Sequence, residues 1–137
     1  VENGDYDAIV LAAAGVYALG YHDKITKVFG TAEMLPAPGQ GIIAVQSRIP
    51  NTSEDEDLTA YCRAVNHIET WTIAMAEKSM LEAIDGDCNT PIGCLTDIDG
   101  QTLRMVAKNF ETDKIRILSG PIEDYRRIGL EIGHQLI

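Results

Sequence analysis

The hydrophobic period of the chain changes at one place, and that change limits the folds open to it. Before Asp85 the apolar residues Trp71, Met75, Leu81 and Ile84 follow a helical run, whereas after Pro91 they fall into short alternating stretches. Between the two lies Asp85-Gly86-Asp87-Cys88-Asn89-Thr90, rich in turn formers, which sets a lone thiol in a tight loop. A long helix feeding a small sheet predicts an α+β unit.

The alternation predicts strands over Ile92 to Ile98, Thr102 to Phe110 and Lys114 to Leu118, joined by an Asp99-Gly100 turn and a break near Thr112-Asp113. Three antiparallel strands result. Gly120-Pro121 then opens a last helix with the stripe Ile122, Tyr125, Ile128, Ile132 and Leu136. Upstream, Leu58, Tyr61, Cys62 and Val65 have helical spacing behind the acidic stretch Glu54 to Asp57. Asn66 with Glu69 resembles a capping box for the next helix, and Gly86 stands where its C-terminal cap is expected.

The first part reads differently. Ala8 to Ala14 is a continuous apolar run, the pattern of a strand buried on both faces, so partner strands are expected upstream of Val1. Residues 22–30 read as irregular or briefly helical. Pro36-Ala37-Pro38-Gly39-Gln40-Gly41 is a candidate hinge, and Ile42 to Val45 a second short strand ended by Pro50. The last stripe still runs at Ile137, so the C-terminus is expected to be cut or disordered. The fold class is therefore an α/β fragment, the end of a parallel-sheet domain, followed by an α+β domain whose three-stranded antiparallel sheet carries helices on one face.

Composition narrows function. Of 137 residues, 45% are hydrophobic and 23% charged, with mean hydropathy -0.05, as in water-soluble globular proteins. A formal net charge of -10 argues against nucleic acid and anionic membrane surfaces as partners. It also means that any large anionic ligand needs cations from elsewhere. No apolar run reaches the roughly 18 residues of a membrane span, and no signal peptide is expected. Three cysteines without a CxxC pair argue against a disulfide framework or structural zinc and fit a reducing, cytoplasmic setting.

Among candidate site residues Cys88 leads. Asp85, Asp87 and the carbonyl end of the preceding helix surround it with negative charge, whereas turnover thiolates sit beside cations or helix N-termini. Such a thiol suits permanent attachment better than repeated attack. Cys62 and Cys94 read as core or near-core residues. His22, His67 and His134 share no ligand spacing and receive no role, and no metal is expected. Glu77 and Glu82 read as a solvated helix face.

Four segments in register carry a family resemblance: Tyr6-Asp7-Ala8-Ile9-Val10-Leu11-Ala12-Ala13-Ala14-Gly15, Leu35-Pro36-Ala37-Pro38-Gly39-Gln40-Gly41, Glu77-Lys78, and Gly86-Asp87-Cys88-Asn89-Thr90-Pro91-Ile92-Gly93. Together they resemble the porphobilinogen deaminase (hydroxymethylbilane synthase) family over nearly the whole chain. The resemblance implies a three-domain enzyme, with residues 1–35 closing the second domain, 36–49 forming the hinge and strand returning to the first, and 50–137 forming the third. It implies a dipyrromethane cofactor held by Cys88 through a thioether, a primer to which four porphobilinogen units are added with release of ammonia. A thioether survives those cycles where an ester would hydrolyse.

The catalytic aspartate and most substrate-binding arginines are implied for the absent N-terminal domains, so the fragment alone is expected to be inactive. Ala12, Gly15 and Gln40 are implied as substrate or cleft positions. For these the residues leave a second reading open: the glycines near Gln40 also suit a chain crossing between domains, and the loop at Gly15 also simply ends a strand. Ala18 stands where the family resemblance leads one to expect an arginine, Lys78 where it implies another, and Asp87 where it implies a glycine. Ala18 and Asp87 favour an alternative, a non-catalytic ligand-binding module that has lost the chemistry. A third reading is a thiol-dependent hydrolase using Cys88 and a histidine.

Overall fold

Alternation with one buried face is what makes a strand pair in a unique register, and residues 92–121 obey it. In the computed structural model, which describes residues 1–49 and 51–137, they form β1 (Ile92–Asp99), β2 (Thr102–Asn109) and β3 (Ile115–Pro121). The order is β1-β2-β3, antiparallel throughout, with Cys94 opposite Ala107 and Met105 opposite Leu118. Ile92, Cys94 and Thr96 of β1 and Leu103, Met105 and Ala107 of β2 point to one buried face.

Two helices cover that face, α3 (Ile68–Ala83) and α4 (Tyr125–Leu136). Ile128, Ile132 and Leu136 recur every four residues along α4, and all are fully buried, packed with Ala76 and Met80 of α3. Each such large side chain contributes about 1.5–3 kcal/mol of burial. Gly129 and Gly133 lie on the same stripe. A Cβ on Gly133 would stand 2.6 Å from both the Met80 carbonyl oxygen and the Ala83 Cβ, and one on Gly129 would fall closer still to the Ala76 carbonyl oxygen. The two helices therefore touch backbone to backbone. At their N-terminal ends the Trp71 and Tyr125 rings meet edge to face, with centroids 5.6 Å apart. At the far end Asn109 Nδ2 donates to the Leu136 carbonyl, tying β2 to the end of α4.

Several boundaries depart from the sequence expectation. Pro121 closes β3 rather than opening the last helix; a 3-10 turn (Ile122–Asp124) follows before α4 begins. The N-cap of α3 is His67, not Asn66: His67 Nδ1 accepts from the Thr70 N–H at 3.3 Å and pairs with Thr70 Oγ1 at 2.9 Å. The helix before it, α2 (Ser53–Ala64), leaves Tyr61 exposed and Cys62 half-buried, and Val65 lies exposed just past its end. Pro50, expected to end a strand, lies outside the described residues.

The chain divides into two compact units, residues 1–34 and 35–137. In the first, the run expected as a buried strand is exposed at Ile9, Val10 and Leu11 and turns into a short helix, α1 (Ala13–Ala18). A 3-10 turn follows at His22–Lys24. Ile42 to Val45 is likewise not a strand, and Ile43 is 92% exposed. The reason is common to both. A strand exists only by exchanging backbone hydrogen bonds with a neighbour, and among the described residues none lies beside either run.

Among the described residues, one buried side-chain polar atom has no hydrogen-bond partner. Thr96 Oγ1 faces the core without a hydrogen bond, and an unsatisfied buried hydroxyl costs roughly 1–3 kcal/mol. Thr96→Val keeps the shape and removes the hydroxyl, so it is expected to raise stability by about 1 kcal/mol, measurable as a higher urea midpoint with an unchanged slope.

Candidate functional site: the Cys88 turn and its support

A helix leaves its last carbonyls unpaired, and α3 resolves this with a two-bond cap. The Gly86 N–H donates to the Leu81 carbonyl at 2.9 Å and the Asp85 N–H to the Glu82 carbonyl at 3.3 Å. The left-handed residue of that cap is Asp85, with φ 51°, and not Gly86 as expected from sequence. Aspartate is among the few residues that tolerate this region.

The chain then folds into a four-residue turn, Asp87 to Thr90. The Thr90 N–H returns to the Asp87 carbonyl at 3.2 Å. Asp87 Oδ1 accepts the Asn89 N–H at 2.8 Å, and Thr90 Oγ1 accepts the Asp87 N–H at 2.8 Å. Cys88 is the second residue of this turn, and none of these bonds uses its sulfur. Its thiol is exposed, whereas Cys94 is buried and Cys62 half-buried. Burial, with Glu77 beside it, pushes the Cys94 thiol far up, so that sulfur stays protonated. An exposed sulfur on a turn braced from both sides fits a bulky thioether-linked group.

The Asn89 N–H, with help from Thr90, holds the Asp87 carboxyl below the ordinary aspartate range. Because the folded value is depressed, the bracing is complete above the unfolded value and is lost as pH falls through the folded one. The Asn89 amide resonance is therefore expected to stay fixed through mildly acidic pH and to move only in stronger acid, with Cys88 gaining mobility at the same point. NMR titration checks this; movement centred at or above the ordinary aspartate value contradicts the bracing.

The remaining candidates fall in two places. In the first unit Ala12 caps α1, accepting from the Gly15 and Val16 N–H groups at 3.1 and 3.3 Å. Gly15 lies inside α1 with open space where a Cβ would be, and Ala18 ends it. In the second unit Gln40 closes its own loop, with Oε1 accepting the Ala37 N–H at 3.0 Å. Lys78 is exposed.

Glu77 corrects the sequence reading. Far from a solvated face, it is 6% exposed and accepts the Gly39 N–H through Oε2 at 2.7 Å. The signal was in the spacing: Glu77 lies three residues before Met80 and one after Ala76, inside the buried stripe. Glu82 does lie at the surface, 3.7 Å from Arg126. The segment around Pro36–Gly41, Glu77 and the Gly93 end of the cysteine motif, separate in sequence, thus come together in the second unit.

Comparison with known proteins divides the chain differently from the two compact units, between residues 59 and 71. Residues 1–59 match the family model described as porphobilinogen deaminase, dipyromethane cofactor binding domain, and residues 71–137 the model described as porphobilinogen deaminase, C-terminal domain. A curated relative from Alkaliphilus metalliredigens (strain QYMF), porphobilinogen deaminase, is 32% identical over 141 residues, an alignment taking in 100% of this chain and 43% of the relative. The chain thus spans less than half the length of that relative.

Proposed function

The chain belongs to the porphobilinogen deaminase family, and from that premise we propose that it is the cofactor-bearing C-terminal part of an enzyme that joins four porphobilinogen units into hydroxymethylbilane with release of ammonia. Cys88 is the attachment point of the dipyrromethane cofactor. The observation that carries this reading is that the one exposed sulfur among the three cysteines sits on the hydrogen-bonded turn of the matched motif.

Bound there, the dipyrromethane supplies a free pyrrole carbon from which the product chain grows. The residues of this chain hold it. The cap at Asp85 and the turn at Asp87 fix the cysteine backbone, and the carboxylate of Asp87 is spent on the Asn89 N–H rather than on the sulfur. That use of Asp87 weakens the case for a non-catalytic ligand-binding module. Ala12, Gly15 and Gln40 are assigned to the cleft on family position alone.

The cation deficit assigns the rest. Carboxylate-bearing pyrroles call for guanidinium groups and developing positive charge for a carboxylate, and with net charge -10 these arginines belong to polypeptide outside residues 1–137. The fragment alone is inactive on this reading. We assign residues 1–35 to the end of a second domain, 36–49 to the return toward a first, and 50–137 to the third, in a cytoplasmic enzyme. Among the described residues no helix is long and apolar enough to cross a membrane.

Intact-mass and peptide-level spectrometry of the full-length protein tests the attachment. The expected result is an added dipyrrole on the peptide containing Cys88; an active full-length enzyme with that peptide unmodified overturns the assignment.

A further inference from the structure

Carboxylates are almost never buried without a partner, and Glu77 is buried in the middle of α3. Its partner is a backbone group. Gly39 follows Pro38 with φ 74°, and the Gln40 N–H returns to the Ala37 carbonyl at 3.0 Å, the signature of a type II turn. The Gly39 N–H takes no part in that turn bond and needs an acceptor elsewhere, which Glu77 Oε2 supplies at 2.7 Å. A second bond holds the same segment: the Cys94 N–H donates to the Pro36 carbonyl at 2.8 Å. Next to it Leu35 lies so close over Gly93 that a Cβ there would meet the Leu35 Cβ at 2.9 Å. Glu77 lies beside the Cys94 thiol, so the two attachments are neighbours.

We propose that Glu77 is a positioning residue, a latch on α3 that together with the Cys94–Pro36 backbone bond on β1 fixes the Pro36–Gly41 segment to both elements flanking the Cys88 loop, so that segment and loop move as one body. This rests on the reading of Cys88 as the attachment point. The segment leads into the connection assigned to the first domain. Its anchorage therefore sets where a group carried on Cys88 is presented, and the freedom to bend lies outside residues 36–41 rather than within them.

The test uses the full-length protein as wild type, Glu77→Gln and Glu77→Ala, with amide exchange at Gly39, the mass of the Cys88 peptide, and kcat and KM for porphobilinogen. In the wild type the Gly39 amide is expected to be protected. Glu77→Ala is expected to speed its exchange about 10- to 100-fold, the range for a hydrogen bond to a charged group, and to lower kcat with KM held, since Glu77 does not touch substrate. Glu77→Gln still offers an acceptor oxygen and is expected to restore most of both.

Three results overturn the latch: a wild-type Gly39 amide exchanging as fast as an unbonded one, Glu77→Ala changing KM alone, or Glu77→Gln losing as much kcat as a catalytic carboxylate would. The first needs no variant and decides the matter even if Glu77→Ala fails to fold. An unmodified Cys88 peptide in the active wild type defeats the attachment reading instead, and the Gly39 exchange then still reports on the bond itself.

Discussion

Gly129→Ala is expected to lower the stability of the chain by about 3 kcal/mol or more, toward the upper end of what overpacking costs. One methyl group is enough because of where it lands. The added carbon would overlap the Ala76 carbonyl oxygen and come within 3.0 Å of the Ala76 carbonyl carbon and the Ser79 Cβ. These are backbone or near-backbone atoms of α3, and no rotamer change moves them aside. The helices must separate, which opens the packing of Ile128, Ile132 and Leu136 against Met80. Alanine is the better helix former by about 1 kcal/mol, a gain too small to offset that loss. A domain has roughly 5–15 kcal/mol in total, so the urea midpoint should fall steeply. Gly15→Ala is the control: it also sits in a helix but has nothing within 4 Å of the new carbon, and should be neutral or slightly stabilising. If the two variants unfold alike, α3 and α4 do not approach as described.

The same contact marks the limit of what the sequence discloses. The stripe at Ile128, Ile132 and Leu136 is legible because a buried face repeats every turn, and β1 to β3 are legible because burial on one face enforces alternation. Gly129 and Gly133 carry no such signal: a glycine in a helix reads as a weakness until the opposing backbone is known. Ala8 to Ala14 misleads for the opposite cause. Its pattern is that of a strand, but strandness depends on neighbours, and none is found among the described residues. The cap of α3 shifts by one residue because Asn66 and Glu69 match a favoured pattern while His67, a rarer cap, is the residue whose ring reaches Thr70. At the site, the turn around Cys88 was legible from its residue types. The burial of Glu77 was legible only through its stripe, since charge alone argues for solvent.

Cys88→Ser in the full-length protein is expected to abolish loading and with it turnover, while leaving the fold intact. Structure and chemistry separate cleanly here. Every bond that shapes the turn comes from the backbone, Asp87 or Thr90, so an oxygen in place of an exposed sulfur leaves the bracing untouched. The thermal midpoint should match that of the cofactor-free wild-type polypeptide. A serine hydroxyl, however, is a far weaker nucleophile than a thiolate and cannot form the thioether. The mass of the variant should then equal that of the bare polypeptide, with product formation at the detection limit. Cys62→Ser is expected to load normally, because the proposed attachment is the exposed Cys88 and the sulfur on α2 is half-buried. Loading that persists in Cys88→Ser and vanishes in Cys62→Ser would move the attachment to α2. Unimpaired tetrapyrrole synthesis by Cys88→Ser would remove the sulfur from the mechanism altogether, since the turn that presents it would then be presenting nothing the reaction uses.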